Sequence, residues 1–265
     1  MRSKTDKILE IIAVFVLVGL LFEGIYIYYH WPRGDKLHSI SDTETETQGQ
    51  PQEQPSVEKK QTEKEPPLPE EVNLEIPFTS QAPFSDWSYP FNHTCEEAAV
   101  LMAHYYVEGK TTIDPAQAKA ELLDLVEYED KNYGFSEDTD TAQTAQLIKD
   151  YYRHSVKVKY DISLEDIKKE LAKGNPVIVP AAGQLLNNPH FKPPGPLYHM
   201  LLIKGYDATE FITNDTGTIW GADFVYSYQT LENAIHDLEN GDLENIANGR
   251  SAMISVLGTN ILHHQ

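Results

Sequence analysis

The chain contains one cysteine, Cys95, which stands directly after Asn92-His93-Thr94 at the start of an apolar run with helical spacing. A thiol at a helix N-terminus faces unpaired N–H groups and the positive end of the macrodipole, both of which favour the thiolate. His199 opens the run His-Met-Leu-Leu-Ile-Lys-Gly-Tyr, and Asp215 ends the next one within Thr213-Asn214-Asp215-Thr216-Gly217-Thr218. Two antiparallel strands joined by a turn near residues 207–210 put His199 and Asp215 at comparable distances from that turn, as hydrogen-bonding neighbours. A thiolate that attacks an acyl carbon, an imidazole that transfers the proton and a carboxylate that fixes the tautomer make a nucleophilic hydrolase site. The remaining need is a donor to the oxyanion, and Gln81, in Thr79-Ser80-Gln81-Ala82-Pro83, has the right side chain. Glu96 and Glu97 act the other way. Acids in a first turn favour the helix but raise the thiol pKa, so activation rests on His199 more than on the dipole.

Each residue also has a plain structural use. A helical cysteine is commonly a small buried hydrophobe, a single histidine is commonly packed, an Asp before Thr-Gly-Thr commonly forms a turn, and Gln81 alone is a surface glutamine. The order of the four along one chain is what singles out hydrolysis.

The elements that must position them follow from periodicity and capping. Helices are expected from Cys95 to residue 107, from the cap Asp114-Pro115 through Val126, after Asp138 to residue 152, and from Ser163 to near Gly174. Strands are expected at 176–180, 198–206, 210–214, 224–228 and 252–257, with one more helix at 231–238. Helices first and strands later predict an α+β domain with an antiparallel sheet. Glu137, Asp138 and Asp140 resemble half of a calcium loop, but the required glycine and terminal glutamate are absent, which leaves helix capping. His190, His199, His236, His263 and His264 are too scattered for a zinc motif, and neither metal nor cofactor is expected. Trp87, Tyr89, Phe91, Phe191 and Trp220 either line a groove for an extended peptide or pack in the core.

With 41 acidic against 21 basic residues and a net charge of −20, the chain repels phosphate backbones, so no nucleic-acid partner is expected. A lone cysteine excludes an internal disulfide and a multi-thiolate zinc site. Residues 11–22 are apolar or Gly, bounded by Glu10 and Glu23, and Tyr26, Tyr28, Tyr29 and Trp31 follow. This pattern is read as an uncleaved transmembrane signal anchor over residues 1–31, with a cleaved signal or a buried helix as competitors. Residues 32–73, rich in Thr, Gln, Glu, Lys and Pro, are read as a disordered linker. Residues 74–265 are the folded domain, expected on the outer side of the cell membrane.

Ile76-Pro77-Phe78-Thr79-Ser80-Gln81-Ala82-Pro83, Cys95-Glu96-Glu97-Ala98-Ala99-Val100-Leu101-Met102, the run from His199 to Gly205-Tyr206-Asp207, and Asn214-Asp215-Thr216-Gly217-Thr218 together carry a resemblance. They resemble the papain-like cysteine peptidases whose founding members trim double-glycine leader peptides from bacteriocins, and more closely their stand-alone exported branch. The likeness spans about residues 74–258. It implies a papain-like fold, Gln81 as oxyanion donor, Cys95 as nucleophile, His199 as general base and Asp215 as the orienting group. Leader peptidases commonly carry Cys-Gly-Pro-Ala at the nucleophile, where this chain has Cys95-Glu96-Glu97-Ala98. No Gly-x-x-x-x-Gly-Lys-Ser/Thr loop is present, so leader processing coupled to export is not implied.

The function expected from these residues is a membrane-anchored extracytoplasmic cysteine hydrolase. It would cleave peptide or amide bonds of a peptide or protein substrate through an acyl-thioester. The alternatives are a non-catalytic peptide- or wall-binding domain on the same fold and a thiol acyltransferase, because fold does not fix function.

Overall fold

The computed structural model describes residues 67–258. Its centre is an antiparallel sheet that begins with β1 (Val72–Asn73) and β2 (Val156–Tyr160) and continues with β3 (Val177–Ala182), β4 (Tyr198–Tyr206), β5 (Glu210–Asn214), β6 (Phe224–Ser227) and β7 (Ala252–Val256). The strand order is β2-β7-β3-β4-β5-β6, and β1 pairs with the end of β4. Gly205 permits that pairing, since a Cβ there would lie 2.3 Å from the Val72 carbonyl oxygen. The helices are α1 (Cys95–Val107), α2 (Pro115–Asn132), α3 (Thr141–Leu147), α4 (Leu164–Ala172) and α5 (Tyr228–Ala234).

β4 is buried along its whole length because both sheet faces are covered. Met200 and Leu202 pack with Ala99, Met102 and Ala103 of α1, whereas Leu201 and Ile203 join Ile167 and Leu171 of α4 and Leu231 of α5. The other side of α1 sends Ala98, Leu101 and Tyr105 against Ala118 and Leu122 of α2. α1 is therefore buried nearly all round, which explains its weak polar–apolar contrast.

Local chemistry fixes the ends of these elements. Asp114 accepts the Ala116 and Gln117 N–H groups ahead of Pro115, and Asp140 and Ser163 each form a reciprocal capping box. Asp140 is thus a helix cap, not part of a calcium loop. β2 is a strand that residue periodicity did not suggest: at the edge of the sheet, its part-exposed Lys157 and Lys159 pair with Glu170 and Asp166 of α4. The expected strand 224–228 ends one residue early, because the Ser227 side chain accepts the Thr230 N–H and starts α5.

The expected membrane attachment requires correction. Among the described residues no helix is long and apolar enough to cross a membrane. α2 has 18 residues but carries charge along its length, and α1 is apolar but has only 13 residues, against about 20 needed to span a bilayer. The segment 1–31, on which the anchor rested, lies outside the described residues, as do residues 32–66 of the expected linker and His263 and His264. The transmembrane helix, the membrane partner and the extracytoplasmic location are accordingly withdrawn from the reading of this protein.

Candidate active site

Cys95 is the first residue of α1, so its backbone N–H has no acceptor within the helix. Thr94, at the N-cap, does not cap with its side chain, and its Oγ1 donates instead to the Gln81 carbonyl at 3.0 Å. The Gln81 N–H donates in turn to the Thr216 carbonyl at 2.9 Å, one residue beyond Asp215. Ser80 Oγ adds a second bond to that carbonyl at 3.2 Å. The segment around Gln81 therefore ties the tip of α1 to the end of β5. The Gln81 side chain is buried, and its Nε2 donates to the Phe91 carbonyl at 3.1 Å. An amide nitrogen carries two protons, so one remains available to another acceptor.

His199 lies on β4 opposite Ala181 of β3, and Asp215 follows β5 directly. His199 Nε2 and Asp215 Oδ1 are 2.8 Å apart. The same oxygen accepts the Gly217 N–H at 2.9 Å. The second carboxylate oxygen accepts from Asn188 Nδ2 at 3.0 Å and from the Tyr226 hydroxyl at 2.6 Å. Burial alone would raise the Asp215 pKa, but the neighbouring His199 and these donors outweigh it and hold the carboxyl below its ordinary value. Phe191 stands edge-on to the imidazole, with centroids 5.3 Å apart. Gly217 approaches both rings so closely that a Cβ would lie 2.8 Å from Phe191 Cε1 and 2.9 Å from His199 Cε1. The ring is thus fixed in orientation, with Nε2 committed to Asp215 and Nδ1 left for chemistry.

Gln81, Cys95 and His199 line one cleft of about 670 Å³, and Asp215 stands behind the imidazole outside that lining. Trp87, Phe191, Ile219 and Trp220 contribute apolar wall, and both tryptophans are exposed. Phe91 is buried in the core instead, while Tyr89 is exposed away from the cleft lining.

One expected contact is missing, and the functional reading changes accordingly. Among the described residues Cys95 makes no hydrogen bond with His199. Its thiol donates to Glu96 Oε2 at 2.9 Å, and Glu96 Oε1 accepts the Thr139 N–H at 2.8 Å. Burial first, then the Glu96 carboxylate, push the Cys95 thiol well above its ordinary pKa, so helix polarity does not make a thiolate in this conformation. A preformed Cys–His pair, on which the expected membrane-anchored extracytoplasmic hydrolase rested, is absent from the structure.

The carboxyls behind the thiol are unusual in themselves. Glu96, Glu97 and Glu129 are all fully buried. Neither carboxyl oxygen of Glu97 or of Glu129 has a donor from another residue among the described residues, and the two carboxyls face each other. Burial pushes Glu96 and Glu129 up to about 8, and burial together with the neighbouring carboxylates pushes Glu97 well above its ordinary value. Two facing carboxyls deep in a protein are costly as a pair of anions, so at least one of them holds a proton.

Sequence reasoning did not find Asn188 or Tyr226, because their roles as donors to Asp215 arise from loop and strand placement and not from local pattern. Glu96 was noted only as a charge near the thiol, whereas the structure makes it the hydrogen-bond acceptor of that thiol.

The sequence profile described as the Peptidase_C39 like family matches residues 73–240, more than half of the 265-residue chain. The chain belongs to the C39-like peptidase family. No curated protein matches it. Among solved structures it is similar to a candidate C39-like peptidase from Bacillus anthracis, at 16% identity and a TM-score of 0.46, covering 71% of this chain and 98% of that one. It is also similar to xylellain, a cysteine protease from Xylella fastidiosa, at 14% identity and a TM-score of 0.29, covering 72% and 86% of the two chains. At these levels neither likeness bears on the chemistry of the site.

Proposed function

We propose that this C39-like family member is a cysteine hydrolase of peptide or amide bonds. Its working conformation is one in which the Cys95 side chain has left Glu96 and turned toward His199. The single observation that supports this reading is the cleft shared by Gln81, Cys95 and His199, with Asp215 fixing the imidazole from behind. In that reading His199 Nδ1 takes the thiol proton as Cys95 Sγ bonds to the scissile carbonyl carbon. The oxyanion is met by the free proton of Gln81 Nε2 and by the Cys95 backbone N–H. Collapse of the adduct breaks the C–N bond, the amine leaves with the proton from His199, and water then releases the acid and restores the thiol. Within the family, Cys95-Glu96-Glu97-Ala98 in place of Cys-Gly-Pro-Ala supports a stand-alone branch distinct from the leader peptidases.

The Cys95–Glu96 bond favours a second reading, in which the fold binds a peptide in the cleft without cleaving it. The two readings separate in one experiment. A peptide library and a peptidyl epoxide are offered to the wild-type chain and to the Cys95→Ala and His199→Ala variants. Hydrolysis requires turnover by the wild type alone and epoxide capture at Cys95 slowed by about 10²–10⁴-fold in His199→Ala. Peptide binding without turnover, together with equal capture rates in wild type and His199→Ala, would replace the hydrolase by the binder.

A further inference from the structure

A second group of side chains lies at the opposite end of α1 from Cys95. His104 and the C-cap residue Glu108 are four positions apart, which puts them on one helical face. The third member comes from a distant part of the chain. After the single π turn Ile148–Tyr152, Arg153 adopts a left-handed φ of 62°, and this reversal delivers His154 beside α1. His104 Nδ1 and His154 Nε2 are 2.9 Å apart. One ligand atom from each of His104, Glu108 and His154 lies within 4.8 Å of the others. The His104 ring is set in place by stacking on Tyr152, at 3.8 Å between centroids and 12° between planes.

We propose that His104, Glu108 and His154 form a binding site for one zinc ion. Two imidazole nitrogens and a carboxylate oxygen are the donor set that zinc accepts, whereas magnesium and calcium require mostly oxygen. Tetrahedral zinc at about 2.05 Å from each nitrogen holds two imidazole nitrogens roughly 3.3 Å apart. The imidazoles therefore need to separate by only a few tenths of an ångström, exchanging their mutual hydrogen bond for two metal bonds. Both imidazoles are half-buried and Glu108 is exposed, which leaves the fourth position open to water. Nine residues of helix separate His104 from Cys95, about 14 Å along the axis, and none of the three residues lines the cleft. The site is thus independent of the hydrolase reading. Its ion would fasten the end of α1 to the turn that precedes β2.

The full-length chain is titrated with zinc against a chromophoric chelator, and then with cobalt to record the ligand-field spectrum. Cys95→Ser serves as the background in which the thiol cannot compete. The expected result is one tight equivalent per chain in wild type and in Cys95→Ser, with a four-coordinate cobalt spectrum lacking sulfur charge transfer. His154→Gln should weaken it by more than the about 10–100-fold typical of outer-shell partners. Glu108→Gln, on an exposed side chain, should also weaken it and keeps the test available if His154→Gln fails to fold. The absence of a tight equivalent in the wild type, or its survival at full affinity in either variant, would overturn the site.

Discussion

His199 Nε2 and Asp215 Oδ1 lie 2.8 Å apart with both side chains all but closed to solvent, and Tyr226 and Asn188 supply the other carboxylate oxygen from the far side. Asp215 therefore sits in a nearly complete shell of donors that costs little to keep charged. Removing one member should be felt both in stability and in the imidazole. Tyr226→Phe leaves a buried acceptor short of one donor and should destabilise the fold by about 1–3 kcal/mol, measured as the urea midpoint. The sign with pH follows from the depressed carboxyl. The stability it contributes is present above the ordinary carboxyl pKa and is lost as pH falls through the folded value. The variant should therefore differ most from wild type at neutral pH and converge with it in acid.

The Cys95–Glu96 bond predicts a thiol held back most above about pH 8, where the Glu96 carboxyl that accepts it becomes charged. In Glu96→Gln one amide oxygen can keep the Thr139 N–H, while the amide nitrogen turns a donor toward sulfur and favours the thiolate. Iodoacetamide should alkylate Cys95 at least about tenfold faster in this variant above about pH 8, where the wild-type Glu96 is charged, with a smaller difference at neutral pH and the pH–rate curve displaced to lower pH. An unchanged curve would show that Glu96 does not govern the thiol.

The buried glutamates predict an inverted pH dependence. Glu96 and Glu129 are raised from the ordinary 4.5 to about 8, so the folded chain holds their protons more tightly than the unfolded chain does. That contribution is complete below 4.5 and is lost as pH rises through about 8. Thermal melts should accordingly fall over this interval. Glu129→Gln should raise the melting temperature by several degrees at the alkaline end, with a small effect at the acidic end.

Gly217→Ala tests the fit around the imidazole. The added methyl group would lie 2.8 Å from Phe191 Cε1 and 2.9 Å from His199 Cε1, so the ring or the loop must move. Such strain costs about 1–3 kcal/mol, and a displacement of about 1 Å can cost 10²-fold in rate. Peptide turnover should drop by that order, and alkylation of Cys95 should slow with it, since His199 takes the thiol proton in both. Unchanged rates of both would show that the imidazole tolerates the methyl group.

What could be read without coordinates was whatever a local pattern encodes. The long apolar run of β4 and the Asp114-Pro115 cap announce themselves, because burial on both faces and an orphan N–H each demand particular residue types at fixed spacing. β2 escaped because its lysines are satisfied by Glu170 and Asp166, residues of the helix that follows it. The order Gln81, Cys95, His199 and Asp215 is visible in the sequence, but the direction of one thiol is a rotamer, and no spacing rule specifies it. The pairing of His104 with His154 spans 50 positions and depends on a left-handed residue at Arg153, so periodicity could not disclose it.

The two hydrogen bonds that Thr216 O accepts from the Gln81 N–H and Ser80 Oγ span most of the domain, the second across 136 positions. Contacts so distant in sequence close late, since the entropy of a large loop must be overcome before they form. During synthesis the sulfur emerges from the ribosome more than a hundred residues ahead of the imidazole that would activate it. A nascent chain therefore has no cleft until its carboxyl-terminal half has arrived and docked, and a chain broken off early never forms one.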